Sequence, residues 1–119
     1  MNKTIPFVGF DAHVRITTYQ AGPIAILLVA APTERNQEQD CFPGEPIATA
    51  SVMLGEPLLP GETFIKTWSE NSGLLEVLVS HGIVTPTGRF SLSNCNAPVV
   101  KVNLDVAEQF SPKQVNGAF

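Results

Sequence analysis

The segment 61–82, GETFIKTWSENSGLLEVLVSHG, most constrains what this chain can fold into. It reads as a strand, a capped turn and a short amphipathic helix, in that order. Over residues 63–68, Phe64 and Lys66 fall on one side and Ile65 and Thr67 on the other, the two-residue period of a strand. Leu74, Leu75, Val77 and Leu78 then supply a helical apolar face. Ser69 or Asn71 can accept a backbone N–H of the first turn, and Glu70 places negative charge where the helix dipole favours it. His81 and Gly82 mark the C-terminal end. Gly73, near the start, weakens the helix by about 1 kcal/mol relative to Ala. A helix of about ten residues does not persist alone in water, so this one must pack on a sheet. No other helix signal is present. The expected fold class is therefore α+β: an antiparallel β-sheet of four to six strands with one short amphipathic helix packed on it.

The strands are legible from periodicity. From Phe10 onward, Phe10, Ala12, Val14, Ile16 and Thr18 face one way, and Asp11, His13, Arg15, Thr17 and Tyr19 the other. Residues 20–23, QAGP, are turn chemistry. The run 24–30, IAILLVA, is of strand length and continuously apolar, as for a strand covered on both faces at the centre of a sheet. These first two strands form an expected hairpin. Residues 46–54 make a third strand, 83–84 and 88–92 a short fifth, and 99–104 a last one. The segment 94–98 is a turn, and no internal repeat is read. Residues 32–45 are polar and broken by proline, and read as a long mobile loop insertion. Residues 1–104 are thus expected as a single domain, with 105–119 a loosely docked or disordered tail.

At 119 residues the chain is long enough for one domain with a real core. Its charged share is only 15%, against about 25% in typical proteins. A surface so poor in charge is either built from neutral polar residues or covered by a partner or a second copy. Lys3, Arg15, Arg35, Lys66, Arg89, Lys101 and Lys113 are scattered and form no stripe for phosphates, so direct nucleic-acid binding is not expected. The acids are also too sparse to imitate DNA. The longest apolar run, 23–31, is far below the ~20 residues needed to cross a bilayer, and the N-terminus lacks the apolar core of a signal peptide. The expectation is a soluble cytoplasmic protein without membrane contact. Its two cysteines, Cys41 and Cys95, are read as free thiols by default, although a disulfide between them is possible.

Candidate chemistry is thin. His13 follows Asp11 by two residues on one strand face, a spacing that could orient an imidazole for base or metal duty, but no second ligand cluster accompanies it. His81 is explained by the helix dipole. Cys41 with a histidine would be a thiol nucleophile, yet it sits in a loop poorly suited to preorganisation. Ser69, Ser72 and Ser80 lie near the helix without a nucleophile elbow. Glu45, Glu56 and Glu62 each stand beside Gly or Pro and read as turn residues. No catalytic residue, metal site or cofactor is therefore assigned. The apolar residues Phe42, Leu58 and Leu59 in loops would be interface anchors if exposed, or plugs for the sheet ends if buried. Trp68, at a strand end, reads either as packing the helix onto the sheet or as a binding hot spot.

The stretches GEPIATASV (44–52) and FIKTWSENSGLLEVLVSHGIV (64–84) resemble a family of short bacterial, phage and plasmid proteins. That family pattern is a hairpin, a G-E-P-I-A-T-A strand, and an F-I-K-D-[WY]-S-E-N-x-G segment followed by G-I-V. The chain departs from it in a longer loop at 33–43 and in the tail after residue 104. The resemblance implies a small accessory gene on a mobile element and brings no catalytic residues with it. With that setting, the leading expectation is a non-enzymatic accessory protein that docks on a host or phage protein through Phe42, Leu58, Leu59 or Trp68 and blocks it. An inhibitor of a host defence system, such as an anti-CRISPR, is one concrete form. The alternative is a self-associating module, a homo-oligomer motivated by low charge and a free sheet edge. A small hydrolase-like enzyme using Asp11, His13 or Cys41 ranks last.

Overall fold

The alternating and continuous apolar runs form eight strands in a computed structural model that describes residues 3–20, 22–93 and 95–112. Strands β1 (Ile5–Phe7), β2 (Phe10–Thr18), β3 (Ile24–Ala30) and β4 (Pro46–Thr49) make one sheet in the order β1-β2-β3-β4. Strands β5 (Ser51–Val52), β6 (Glu62–Ile65), β7 (Val84–Phe90) and β8 (Pro98–Val102) make a second, in the order β5-β6-β8-β7. Every pairing is antiparallel. The expected α+β class holds, with the strands divided over two sheets. Strand β3 lies between β2 and β4, central as its continuous apolar run requires.

One chain segment serves both sheets. Only Ala50 separates β4 from β5, and it is fully buried. Its N–H donates to the Ile26 carbonyl at 2.8 Å and its carbonyl accepts from Lys66 N–H at 2.8 Å, so the strand changes sheets within one residue. Side chains then satisfy the edge of β3 that β4 has left. Ser51 Oγ accepts from Ile26 N–H at 2.8 Å, and Thr63 Oγ1 donates to the Ile24 carbonyl at 2.6 Å.

The main core fills the space between the sheets. Ile5, Val14, Ile26 and Leu28 meet Ile65, Val84, Val100 and Val102, and helix α2 (Leu74–Ser80) adds Leu74 and Leu78. Each such side chain contributes about 1.5–3 kcal/mol when fully buried. The helix starts later than its polar signals imply. Neither Ser69 nor Asn71 caps it; both belong to a separate 3-10 turn, Ser69–Asn71, and Gly73 stands at the N-cap. Asn71 is fully buried instead, and its Nδ2 donates to the Thr49 carbonyl at 2.7 Å. Helical backbone begins only at Leu74, where the apolar face begins.

Two segments expected to be loose are docked. The 32–45 insertion contains helix α1 (Glu34–Glu38), capped by the Thr33 hydroxyl. Its Asn36 is fully buried and serves the backbone of β2 as a strand would. Asn36 Oδ1 accepts from Asp11 N–H at 2.9 Å, and Nδ2 donates to the carbonyls of Asp11 at 2.7 Å and Ala31 at 2.8 Å. At residue 104 helix α3 (Leu104–Glu108) begins, followed by Phe110 in the main core. The Phe110 carbonyl accepts from Val14 N–H and the Gln109 carbonyl from Lys3 N–H, both at 2.8 Å, so this segment closes the edge of β2 beyond the end of β1. The loosely docked tail expected from 105 is thus corrected over 105–110, because an aromatic anchor and an unpaired strand edge hold it. Residues 113–119 lie outside the described residues, as do Ala21 and Asn94 of the expected turns.

The β1–β2 connection carries a strained residue. Phe7 pairs with Phe10, leaving Val8 and Gly9 as the turn with φ of 45° and 87°. Positive φ at both positions is the type I′ geometry that favours Asn-Gly, and it is a steric outlier for a β-branched residue. Val8→Asn is expected to raise stability by about 1 kcal/mol, read as a higher urea midpoint at unchanged slope.

Candidate protein-binding surface

Two tetrapeptides are built to the same plan, Phe42-Pro43-Gly44-Glu45 and Leu59-Pro60-Gly61-Glu62. Proline fixes the second position, and glycine at the third takes φ of 85° and 83°, as a type II turn requires. The N–H of each glutamate donates to the carbonyl of the first residue at 3.1 Å. Each carboxylate reaches back in turn, accepting the N–H of Phe42 at 2.8 Å and of Leu59 at 2.9 Å. The first residue of each clasped turn is left projecting: Phe42 is 67% exposed and Leu59 63%. The turns occupy opposite ends of the 46–52 strand run, one leading into β4 and the other into β6 beside the end of β5.

The Leu59 turn lies on a second, smaller apolar cluster. Phe64 and Val99 are register partners on β6 and β8 and point away from the main core, whereas their neighbours Ile65 and Val100 point into it. With Ala97 they form a buried floor, and Leu54, Leu58 and Trp68 pack on it. A cavity of about 470 Å³ opens beside this floor, lined by Ile24, Val52, Met53, Leu58, Leu59 and Phe64 among others. The end of β7 runs along the same segment. Glu56 accepts the N–H of Leu92 at 2.8 Å, and the second oxygen of Glu62 pairs with Arg89. Leu92 is 94% exposed, Phe90 53% and Met53 42%. Met53 and Leu59 thus line the cavity, and Leu92 is held beside it through its N–H on Glu56, itself a lining residue; Phe90, opposite Pro98 on β8, does not line it.

The four residues singled out from sequence are not one cluster. Leu59 is an exposed anchor at the cavity, and Leu58 turns inward to the floor beside it. Trp68 packs on the same floor and not between α2 and the sheet, since α2 sends its leucines into the main core. Phe42 is exposed on the β3–β4 connection and does not line the cavity. Sequence reading missed Met53, Leu92 and the clasping roles of the glutamates. The recurrence of Pro-Gly-Glu after a large apolar residue was available as a signal. The Glu56–Leu92 contact spans 36 residues and had none.

The residues considered for catalysis are engaged elsewhere. The Asp11 carboxylate accepts from the Thr33 hydroxyl at 2.9 Å and from Arg35 at 3.2 Å, tying α1 to β2. His13 is buried opposite Val29, and burial pushes its pKa down. Cys41 is buried; desolvation, then the Glu45 carboxylate, raise its pKa. Cys95 is half-buried; the Ser93 hydroxyl, helped by Ser91, lowers its thiol pKa against the opposing effect of burial. Both thiols are free. Among the described residues no three His, Cys, Asp or Glu side chains group closely enough to hold a metal ion, and no helix is long and apolar enough to cross a membrane.

Comparison with protein families, with curated proteins and with solved structures gives no match to this chain.

His13 makes stability depend on pH. Its folded pKa lies below the ordinary 6.5, so the unfolded chain binds the proton more readily. The stabilisation is present above the unfolded value and is lost as pH falls from there through the folded pKa. Thermal melts between about pH 7 and pH 5 are expected to show a falling Tm in the wild type and a flatter profile in His13→Gln.

Proposed function

We propose that this chain is a non-enzymatic binding protein that acts by docking on another protein through the face formed by Met53, Leu59 and Leu92. The observation that supports this reading is the pair of exposed apolar side chains, Met53 and Leu59, lining one cavity with exposed Leu92 held beside it by Glu56, in a chain whose charged share is only 15%. Leu59 sits on a proline-stiffened, carboxylate-clasped turn, so little conformational entropy is lost when it is buried by a partner. The mechanism is steric: the apolar face covers a working surface of the partner. The accessory, mobile-element setting implied by the GEPIATA and WSEN segments makes a host defence protein the class of target for such blockade, with anti-CRISPR action one form of it.

The same face favours self-association as a second reading, because Leu92 at 94% exposure is as available to a second copy as to a foreign partner. One pair of measurements separates the two. Capture from bacterial lysate by wild type and by Leu59→Glu/Leu92→Glu is expected to yield a stoichiometric partner that the variant binds at least about 100-fold more weakly, with Tm unchanged. The solution mass of the wild type alone then remains monomeric. A doubled mass that returns to monomer in the variant, with nothing captured, selects self-association. A partner held equally by both proteins removes this face from the function.

A further inference from the structure

We propose that residues 56–60 form a strap that swings as one unit about Gly55 and Gly61 and uncovers the apolar floor beneath it. Four observations carry this. First, among the described residues no backbone hydrogen bond ties residues 53–58 to another segment; the main-chain contacts of the strap are those of Leu59 with Glu62. Segments without such bonds open at lower cost than the strands they cover. Second, the segment is bounded by Gly55 and Gly61, with φ of 73° and 83°, and stiffened between them by Pro57 and Pro60. That arrangement concentrates motion at the ends and keeps the middle rigid.

Third, the strap is latched at both ends by side chains and not by a ladder. The Glu56 carboxylate holds Leu92 N–H, and the Glu62 carboxylate holds Leu59 N–H while pairing with Arg89. Both latches reach toward the same stretch at the end of β7. Fourth, what lies beneath is the small cluster of Phe64, Ala97 and Val99, separate from the main core, with a cavity already opened at its side. Lifting Leu58 enlarges that cavity without disturbing the packing of the two sheets. The motion belongs to the isolated protein and stands or falls independently of any partner.

Native-state amide hydrogen exchange by NMR, in small increments of denaturant, tests it. The amides of Leu59 and Leu92 are expected to share one opening, at least about tenfold faster and less denaturant-dependent than the amides of β3 and β8. In Glu56→Ala, which removes the Leu92 latch, the Leu59 amide is expected to exchange about tenfold faster although Glu56 does not touch it. In Arg89→Gln the Leu92 amide is expected to accelerate in the same way, with Glu56 intact. The β3 and β8 amides remain unchanged in both variants. If Leu59 is unmoved by Glu56→Ala, or if Leu59 and Leu92 exchange only together with β3 and β8, the strap is part of the core's cooperative unit and the proposal fails. An equal acceleration of all amides in either variant overturns it as well.

Discussion

Ala50 is where both sheets depend on one residue. Its N–H and C=O are shared between Ile26 of the first sheet and Lys66, just beyond the second sheet's β6, and its side chain is fully enclosed. A strand that turns a corner between sheets brings its backbone against both, and a larger side chain at the turning point has no room. The crossing has a consequence for β3, whose edge loses its backbone partner where β4 departs. Ser51 and Thr63 restore the missing hydrogen bonds with hydroxyls, so polar side chains inside the molecule complete a ladder the backbone abandons. Asn36 performs the same service at Asp11, and the carbonyl of Phe110 does so at Val14. The fold is thus two short sheets whose exposed edges are closed piecemeal, each by a different device.

Five of the chain's eleven acidic residues serve in local contacts of this kind. Asp11 ties α1 to β2, Glu45 and Glu62 close Pro-Gly turns, Glu56 fixes the end of β7, and Glu70 pairs with Lys66. At the two clasped turns the engaged carboxylate leaves the first residue, Phe42 or Leu59, exposed. The engaged acid and the exposed apolar residue of each turn are therefore one feature. The carboxylate that closes a turn also fixes the side chain at its head, so Phe42 is held in place, and Leu59 is held while the strap is closed.

The strands and the helix were legible because they rest on periodicity. The run 24–30 could only be a central strand, and Leu74, Leu75, Val77 and Leu78 only the face of a helix. The insertion and the tail were misjudged for a common reason. Asn36 and Phe110 act through contacts with β2 that lie 25 and 96 residues away in sequence, from Asp11 and Val14 respectively. A polar residue in a proline-broken segment looks solvated until its amide is seen to replace a strand. Trp68 was misplaced because a strand end adjoins both faces of its sheet, and periodicity does not say which face the next side chain takes. The proposed face was half legible: Leu58 and Leu59 stood out as apolar residues in a loop, but Leu92 joins them only through the contact of its N–H with Glu56, 36 residues away.

The separation of two apolar clusters is what lets one small domain be both stable and available. Stability rests on the main core, to which both sheets and all the large α2 leucines contribute. The smaller cluster on the far side of β6 and β8 is covered in part by Leu54 and Leu58 of a loop with little backbone bonding of its own, beside Val52, Trp68 and Cys95. Uncovering Phe64 and Val99 exposes apolar area in proportion to that small cluster, whereas opening the main core would expose the whole inter-sheet layer. In the proposed docking, a partner that contributes apolar side chains at the cavity offsets apolar area that lifting the strap exposes. On the reading proposed above, docking falls at the second cluster and not at the larger core, and Glu56 and Glu62, which latch the strap, set how readily it opens.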